Sequence, residues 1–236
     1  MSHELRYALL ASAILIAIGY FSQPLFPAKN PDPNHTHADF AVWINGTKLQ
    51  FTHPAYMSSA PKTASSTFFI ERAYAHLGEE VEEHAVMLPG REYLHLHDGN
   101  GDVIHKHKPG LTIGDFFTSI GFTMTGTCFT LDNYQYAKLD QNWVRDYART
   151  KKLCTDGKFH WTMIVNGTEV PMNPDYDFQD LDRILLSYGA SDTAPMEQYQ
   201  QMTDEACLYS KTCPWRGAPP TENCIADPEV PCVEVK

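Results

Sequence analysis

Residues 95–107 of this chain read HLHDGNGDVIHKH, and this segment decides how the strands around it pair. Two H-x-H pairs flank a stretch of Asp, Gly and Asn, a composition typical of a β-hairpin that turns near its middle. Residues i and i+2 of a strand point to the same face. His95 and His97 therefore share one face of the first strand. In the same way, His105 and His107 share one face of the second.

The length of the hairpin loop decides whether the two pairs face the same way. A four-residue loop (98–101) would place them on opposite faces of the hairpin. A five-residue loop (98–102) sets His95 opposite His105 and places all four imidazoles on one face. It also gathers three apolar side chains on the other face: Leu94, Leu96 and Ile104. Because strand register follows the buried face, we expect the five-residue loop.

A third H-x-H pair, His35 and His37, lies at the start of another strand pattern. Its strand phase places both imidazoles on the face of Asp39, opposite the apolar Phe40. Imidazole is a good ligand for zinc, copper and nickel, and histidines from neighbouring strands form known zinc sites. The sequence therefore predicts a site for Zn or Cu. Six candidate ligands are His95, His97, His105, His107, His35 and His37.

The hairpin loop also carries the spacing Asp98-x-Asn100-x-Asp102, which begins a calcium-binding loop. Val103 stands where the EF-hand has its glycine, and Pro109 stands where it has its bidentate glutamate. Calcium is therefore the less favoured cation, and a glycine-rich turn is the simpler interpretation of this loop. Its two carboxylates are expected at the rim of the histidine face.

The rest of the chain predicts an α+β fold built from antiparallel β-hairpins and a short helix. Residues 40–49 and 161–170 each turn at Asn-Gly, a strong hairpin signal. Apolar residues recur at helical spacing in residues 111–122, and residues 68–86 are expected to be partly helical. Residues 181–189, LDRILLSYG, contain a buried-strand run. This order is similar to the β-grasp pattern of ubiquitin-like domains.

Composition and charge limit the partners. The chain has 236 residues and a formal net charge of −11 at pH 7. Such an acidic surface repels nucleic acid and anionic lipid and attracts divalent cations. We therefore expect a divalent metal ion as a partner and no nucleic acid. Composition and charge do not identify a protein partner.

The N-terminal segment predicts a membrane anchor. Residues 7–21 are almost entirely apolar and follow Arg6, which favours an uncleaved signal anchor over a cleaved signal peptide. The remainder of the chain is then extracytoplasmic, at the cell surface or in the periplasm. The expected organisation is a signal anchor (1–26), a linker (27–34), an α+β domain (35–190) and a cysteine-rich tail (191–236).

The cysteines fit an oxidising compartment, because their number is even and four of them lie in the tail. Their spacings do not give the short C-x2–4-C pairs that zinc prefers, nor a C-x-x-C redox pair. We predict disulfides between sequence neighbours, although four tail cysteines allow three connectivities. The predicted pairs are Cys128–Cys154, Cys207–Cys213 and Cys224–Cys232.

Four segments carry a family resemblance: HTHADFAVWINGTKL (35–49), HLHDGNGDVIHKHKPGLTIGDFF (95–117), LDRILLSYG (181–189) and the tail ACLYSKTCPWRGAPPTENC…PC (206–232). They resemble an uncharacterised family of membrane-anchored, histidine-rich extracytoplasmic bacterial proteins with a four-cysteine C-terminal tail. Members are sometimes labelled protein-disulfide isomerases. The resemblance implies an anchored, extracytoplasmic location, and the family's motifs carry no established mechanism.

The function that these patterns favour is extracytoplasmic binding of Zn or Cu by H-x-H pairs on β-hairpins. Three alternatives stay open at this point. The chain could be a zinc-dependent hydrolase or lyase that uses three of the same histidines. It could be a disulfide-stapled structural or adhesive surface module. It could also be a thiol–disulfide oxidoreductase, which would expose free thiols.

Overall fold

The computed structural model describes residues 29–32, 34–57, 93–190 and 192–218. Strands dominate these residues and form two sheets. The seven-stranded sheet contains β1 (Thr36–Ile44), β2 (Thr47–Lys48), β3 (Leu94–His95), β4 (Val103–Lys106), β8 (Phe159–Val165), β9 (Thr168–Val170) and β10 (Arg183–Ala190). The three-stranded sheet contains β5 (Thr123–Met124), β6 (Cys128–Thr130) and β7 (Lys152–Cys154).

Short helices connect and cover the strands. They are α1 (Ile113–Ser119), α2 (Asn133–Lys138), α3 (Gln141–Trp143), α4 (Pro195–Gln200) and α5 (Ala206–Tyr209), with a π-helical turn at Val144–Ala148 and 3-10 turns at Pro54–Tyr56 and Pro214–Arg216. The first helix begins at a capping box in which Thr112 and Asp115 bond each other's backbone N–H groups. The helix predicted within residues 111–122 is confirmed.

The main sheet is mixed. Its order is β3-β4-β1-β10-β8-β9, with β2 paired to β1. At the centre, β1 and β10 run parallel, whereas the other pairs are antiparallel. The α+β class is confirmed. The parallel central pair departs from a purely antiparallel sheet, because the last strand returns between β1 and β8 rather than at an edge.

The two Asn-Gly turns have the backbone that their sequence predicts. Asn45 and Gly46 have φ values of 48° and 79°, and Asn166 and Gly167 have 50° and 78°. Two consecutive residues at positive φ fit the twist of a tight hairpin, and Asn-Gly adopts this conformation at little cost. One turn joins β1 to β2, and the other joins β8 to β9.

The main core lies on one face of the sheet, where α1 packs. Apolar side chains of β1, β3 and β4 alternate toward this face and meet the two helical phenylalanines Phe116 and Phe117. These side chains, together with Leu96 directly after β3, are at most 2% exposed: Ala38, Phe40, Val42, Leu94, Leu96 and Ile104. The prediction that the apolar residues of the histidine hairpin pack on a core is confirmed.

The smaller sheet, with strand order β5-β6-β7, carries the first disulfide. Cys128 and Cys154 occupy paired positions on β6 and β7 and are bonded to each other. The indole Nε1 of Trp161 on β8 donates to the carbonyl of Leu153, at 2.9 Å. This hydrogen bond ties the smaller sheet to the main one.

Several predictions lie outside the described residues. They concern the signal anchor (1–26), the partly helical segment (68–86), and the cysteines Cys224 and Cys232. Within the described part of the chain, no helix has the length and apolar character needed to cross a bilayer.

Candidate metal centre

Strand pairing brings the three H-x-H pairs together. His95 pairs with His105 across β3 and β4, and His37 pairs with His105 across β1 and β4. The central strand β4 therefore carries its histidines between those of its two neighbours. The predicted five-residue loop (98–102) is confirmed, because only this loop sets His95 opposite His105.

The hairpin loop is held by specific backbone requirements. Asp98 and Gly99 have φ values of 57° and 72°. A side chain at Gly101 would place its Cβ 2.6 Å from the backbone carbon of Phe51, so only glycine fits there. The side-chain oxygen of Asn100 accepts from the backbone N–H two residues later, at 2.9 Å. The loop therefore turns Asp98 back toward the histidine face.

The six imidazoles form one packed cluster. His37, His95, His97 and His105 are at most 1% exposed. The other two, His35 and His107, are half-buried and lie side by side with ring centroids 4.1 Å apart. The cluster therefore reaches solvent at its end formed by His35 and His107.

Three of these side chains form a triad that could hold a metal ion. His35, His37 and His105 each offer a ring nitrogen, and these nitrogens lie within 4.8 Å of one another. In a tetrahedral site with Zn–N bonds of about 2.0–2.1 Å, neighbouring nitrogens are about 3.3 Å apart. Small side-chain rotations would close the difference. His37 lies in β1 and His35 just before it, so the hairpin of residues 95–107 does not supply the triad alone.

Hydrogen bonds assign the tautomer of His37. The Ser210 hydroxyl donates its single hydrogen to Asp180 Oδ1, at 2.6 Å. Its oxygen must therefore accept from His37 Nδ1, at 2.7 Å. A neutral imidazole carries one N–H, so Nε2 of His37 keeps its lone pair. Carboxylates orient metal-binding histidines in this manner, directly or through one polar group.

A second chain of hydrogen bonds assigns the tautomer of His105. His97 Nδ1 donates to the carboxylate of Asp98, at 2.6 Å. In the neutral ring Nε2 of His97 accepts, so His105 Nδ1 donates to it, at 2.9 Å. The lone pair of His105 then lies on Nε2. This nitrogen is buried and has no hydrogen-bond partner among the described residues.

The remaining pair lies at the edge of the cluster. His107 Nε2 and His95 Nε2 are 3.0 Å apart and share a hydrogen bond. The His107 ring contacts His35 of the triad. The structure thus gives the six predicted histidines different surroundings: three offer the triad, His97 orients His105, and two pair beside them.

Burial favours the neutral form of three imidazoles in the cluster, those of His37, His105 and His107. Desolvation lowers the pKa of His37 to about 3, and the nearby Asp180 carboxylate opposes this only in part. Desolvation, followed by the neighbouring His35, lowers the pKa of His107 to about 3. Burial also lowers the pKa of His105 well below its ordinary value. Neutral imidazole is the form that binds metal.

The chain's C-terminal segment covers the buried side of the cluster. The ring of Tyr209 stands at 89° to that of His105, with centroids 4.7 Å apart. Cys207 and Cys213 form the second disulfide and flank Tyr209 and Ser210. Two of the three predicted disulfides are therefore present. Residues 206–209 of the predicted cysteine-rich tail (191–236) form α5, which contacts β1.

The calcium interpretation finds little support in the loop. Asp98 accepts from His97, whereas Asp102 pairs with Lys48 at 2.7 Å. The amide of Asn100 donates to Glu205 and to Tyr209, at 2.9 and 3.1 Å. These side chains are directed to separate protein partners rather than to a common centre, which a calcium loop requires.

Three side chains at this site were not found from the sequence: Asp180, Tyr209 and Ser210. The Ser210 hydroxyl lies 173 positions from His37 along the chain, and Asp180 lies 143 positions away. No local pattern marks them, because serine and aspartate are common in loops. Only the paired cysteines around Ser210 signalled a structured segment there.

Comparison of the chain with protein-family models, with curated proteins and with solved structures finds no match in any of the three. The functional interpretation therefore rests on the geometry and chemistry of the residues themselves.

Proposed function

We propose that this protein binds a transition metal ion, Zn(II) or Cu(II), through His35, His37 and His105. The triad of buried ring nitrogens within 4.8 Å of one another carries this proposal. Two of its members are held by carboxylate-ended hydrogen-bond chains that leave Nε2 as the acceptor atom. Ligands of this kind, without thiolate or carboxylate, suit zinc and copper.

The energetics of the cluster support a ligand. A buried acceptor without a partner costs about 1–3 kcal/mol. The Nε2 atom of His105 is such an acceptor among the described residues. If this face only had to be buried, apolar side chains would cost less free energy to bury than imidazoles, as on the opposite side of the same strands. A bound cation would convert this cost into a coordination bond.

Binding is better supported than catalysis. Three histidines leave a fourth coordination position, which a zinc hydrolase or lyase needs together with a general base. Among the described residues, Asp98 and Asp180 are the carboxylates in hydrogen-bond contact with the cluster chains, and both are already engaged in orienting imidazoles. Metal capture, buffering or delivery uses the triad without any further group.

We further propose that the protein acts outside the cytoplasm, anchored by residues 1–26. The two disulfides support an oxidising compartment. The resemblance to anchored, histidine-rich extracytoplasmic proteins points the same way. We also infer a β-grasp arrangement, supported by the parallel central pair β1 and β10 with antiparallel neighbours on both sides.

The test is metal analysis of the full-length chain, purified under oxidising conditions and stripped with a chelator. After exposure to micromolar Zn(II) or Cu(II) and desalting, we expect about one ion per chain. The triple variant His35→Ala, His37→Ala, His105→Ala should retain none. The exposed His160 lies outside the cluster, so His160→Ala is the matched control and should bind as wild type. A wild-type chain without stoichiometric metal would overturn the proposal.

A further inference from the structure

The segment that closes the histidine cluster is itself a closed loop. Cys207 and Cys213 are bonded, with Cα atoms 5.5 Å apart, and the chain between them contains the end of α5. We call residues 207–213 the tail loop. A helix as short as α5 is not stable alone, so its position depends on cross-links and tertiary contacts.

The tail loop places the ring of Tyr209 against the imidazoles. The residue is 5% exposed, and its ring centroid lies 4.7 Å from that of His105. The same ring lies 5.7 Å from His37 and 6.0 Å from His97. Its hydroxyl accepts from Asn100 of the hairpin loop, at 3.1 Å. Tyr209 thus separates the cluster from solvent on this side.

Ser210, the next residue, is the polar contact of the tail loop with the triad. Its hydroxyl bridges His37 Nδ1 and Asp180 Oδ1, at 2.7 and 2.6 Å. It is 1% exposed, so water does not compete for these bonds. Ser210 therefore selects which nitrogen of His37 faces the metal position.

A buried carboxylate fixes the start of α5 on the same face of β1. Asp39 accepts from Thr203 Oγ1 at 2.9 Å and from two backbone N–H groups at 2.8 and 3.0 Å. It stands two positions after His37, so both side chains leave the strand on one face. The disulfide holds the other end of the loop.

We propose that the tail loop is the positioning element of the metal site: Ser210 orients His37, Tyr209 closes the buried side, and the Cys207–Cys213 bond keeps both in place. This inference rests on the proposed metal-binding function. Opening the disulfide would loosen metal binding and leave the sheet folded. Outer contacts of a metal site are typically worth about 10–100-fold in metal affinity.

The experiment compares the two disulfides in the full-length chain. The variant Cys207→Ser/Cys213→Ser opens the tail loop, and Cys128→Ser/Cys154→Ser opens the bond in the three-stranded sheet. Cys224 and Cys232 are present in both, so their contribution cancels. The affinity for Zn(II) is measured by competition with a chromophoric chelator. The rate of Zn(II) release is measured in excess chelator. The coordination geometry is read from the visible spectrum of bound Co(II).

We expect the tail-loop variant to bind Zn(II) about 10–100-fold more weakly, to release it faster and to show an altered Co(II) spectrum. The matched disulfide variant should stay within about twofold of wild type. Ser210→Ala keeps the disulfide and should reproduce most of the loss, so the test survives if the double cysteine variant fails to fold.

Equal affinity in wild type, the tail-loop variant and Ser210→Ala would overturn the inference and leave the proposed function standing. Equal weakening by both disulfide variants, with Ser210→Ala unchanged, would also overturn it, because the effect would then follow general stability. A wild-type chain that binds neither Zn(II) nor Co(II) would overturn the proposed function as well.

Discussion

The two faces of β1, β3 and β4 are both largely buried, and for different reasons. On one face, Phe40, Leu96 and Ile104 pack against α1, and the hydrophobic effect is sufficient to hold them. On the other, imidazoles are covered by the tail loop and joined by hydrogen bonds to Asp98 directly and to Asp180 through Ser210. Burial of the apolar face stabilises the fold, whereas burial of the histidine face holds imidazoles in position to bind a metal ion.

The sharpest test of this comparison uses neighbours on β4 that point to opposite faces. Ile104 and His105 are both 0% exposed. Ile104→Ala should lower the free energy of unfolding by about 2–5 kcal/mol and keep about one metal ion per chain. His105→Ala should abolish metal binding and destabilise the metal-free protein less than Ile104→Ala does, because loss of the unpartnered Nε2 acceptor offsets part of the cost of the cavity and of the lost hydrogen bond to His97. Chemical denaturation and metal analysis measure both.

The opposite pattern, with metal lost in Ile104→Ala and retained in His105→Ala, would show that the cluster is not the binding site.

The two faces should also differ in their response to acid. The pKa values of His37 and His107 fall to about 3 in the folded protein, and an ordinary histidine titrates near 6.5. The unfolded chain then binds more protons between these values, so stability is fully present above about pH 6.5 and falls as the pH drops toward 3. Each group contributes up to about 1.4 kcal/mol per pH unit.

Urea denaturation of metal-free protein between pH 4 and 8 measures this slope. The variant His37→Ala should show a shallower slope at acidic pH, whereas Ile104→Ala should shift the curve and keep the slope. A wild-type stability that does not change between pH 7 and 5 would contradict the prediction.

Within the hairpin loop, two carboxylates provide a finer comparison. Asp98 accepts from His97 at the cluster, whereas Asp102 pairs with Lys48 at the surface. Asp98→Asn should weaken Zn(II) binding about 10–100-fold, because an amide does not enforce the His97 tautomer. Asp102→Asn removes the same charge and should change affinity by less than about threefold. Chelator competition at fixed ionic strength compares the Zn(II) affinities of the two variants. Equal losses of affinity would indicate that the carboxylates act only through their long-range charge.

The smallest expected effect is at the surface ion pair. Lys48 and Asp102 lie 2.7 Å apart and are partly exposed, so Lys48→Ala should change the free energy of unfolding by less than about 1 kcal/mol and leave metal affinity unchanged. A larger loss in a denaturation experiment would mean that this contact helps to hold the loop in register.

Much of the arrangement of the histidine face was predicted from the sequence. The alternation of apolar and histidine residues in the hairpin selected the register that sets His95 opposite His105, because a slip by one residue would expose the apolar set. The two Asn-Gly turns and the pairing of Cys128 with Cys154 were likewise predicted. The four hairpin histidines were expected as the main ligands, with His35 and His37 as additional ones, whereas the structure brings His35, His37 and His105 together.

Local chemistry accounts for the hairpins, the helix at Ile113–Ser119 and the common face of the histidines, because strand period, turn preference and capping act over a few residues. Tertiary packing alone decided the parallel pairing of β1 with β10, the selection of the triad, and the contacts of Ser210 with His37 and Asp180. These join distant parts of the chain, and no short-range preference encodes which polar group will meet a given imidazole once water is excluded.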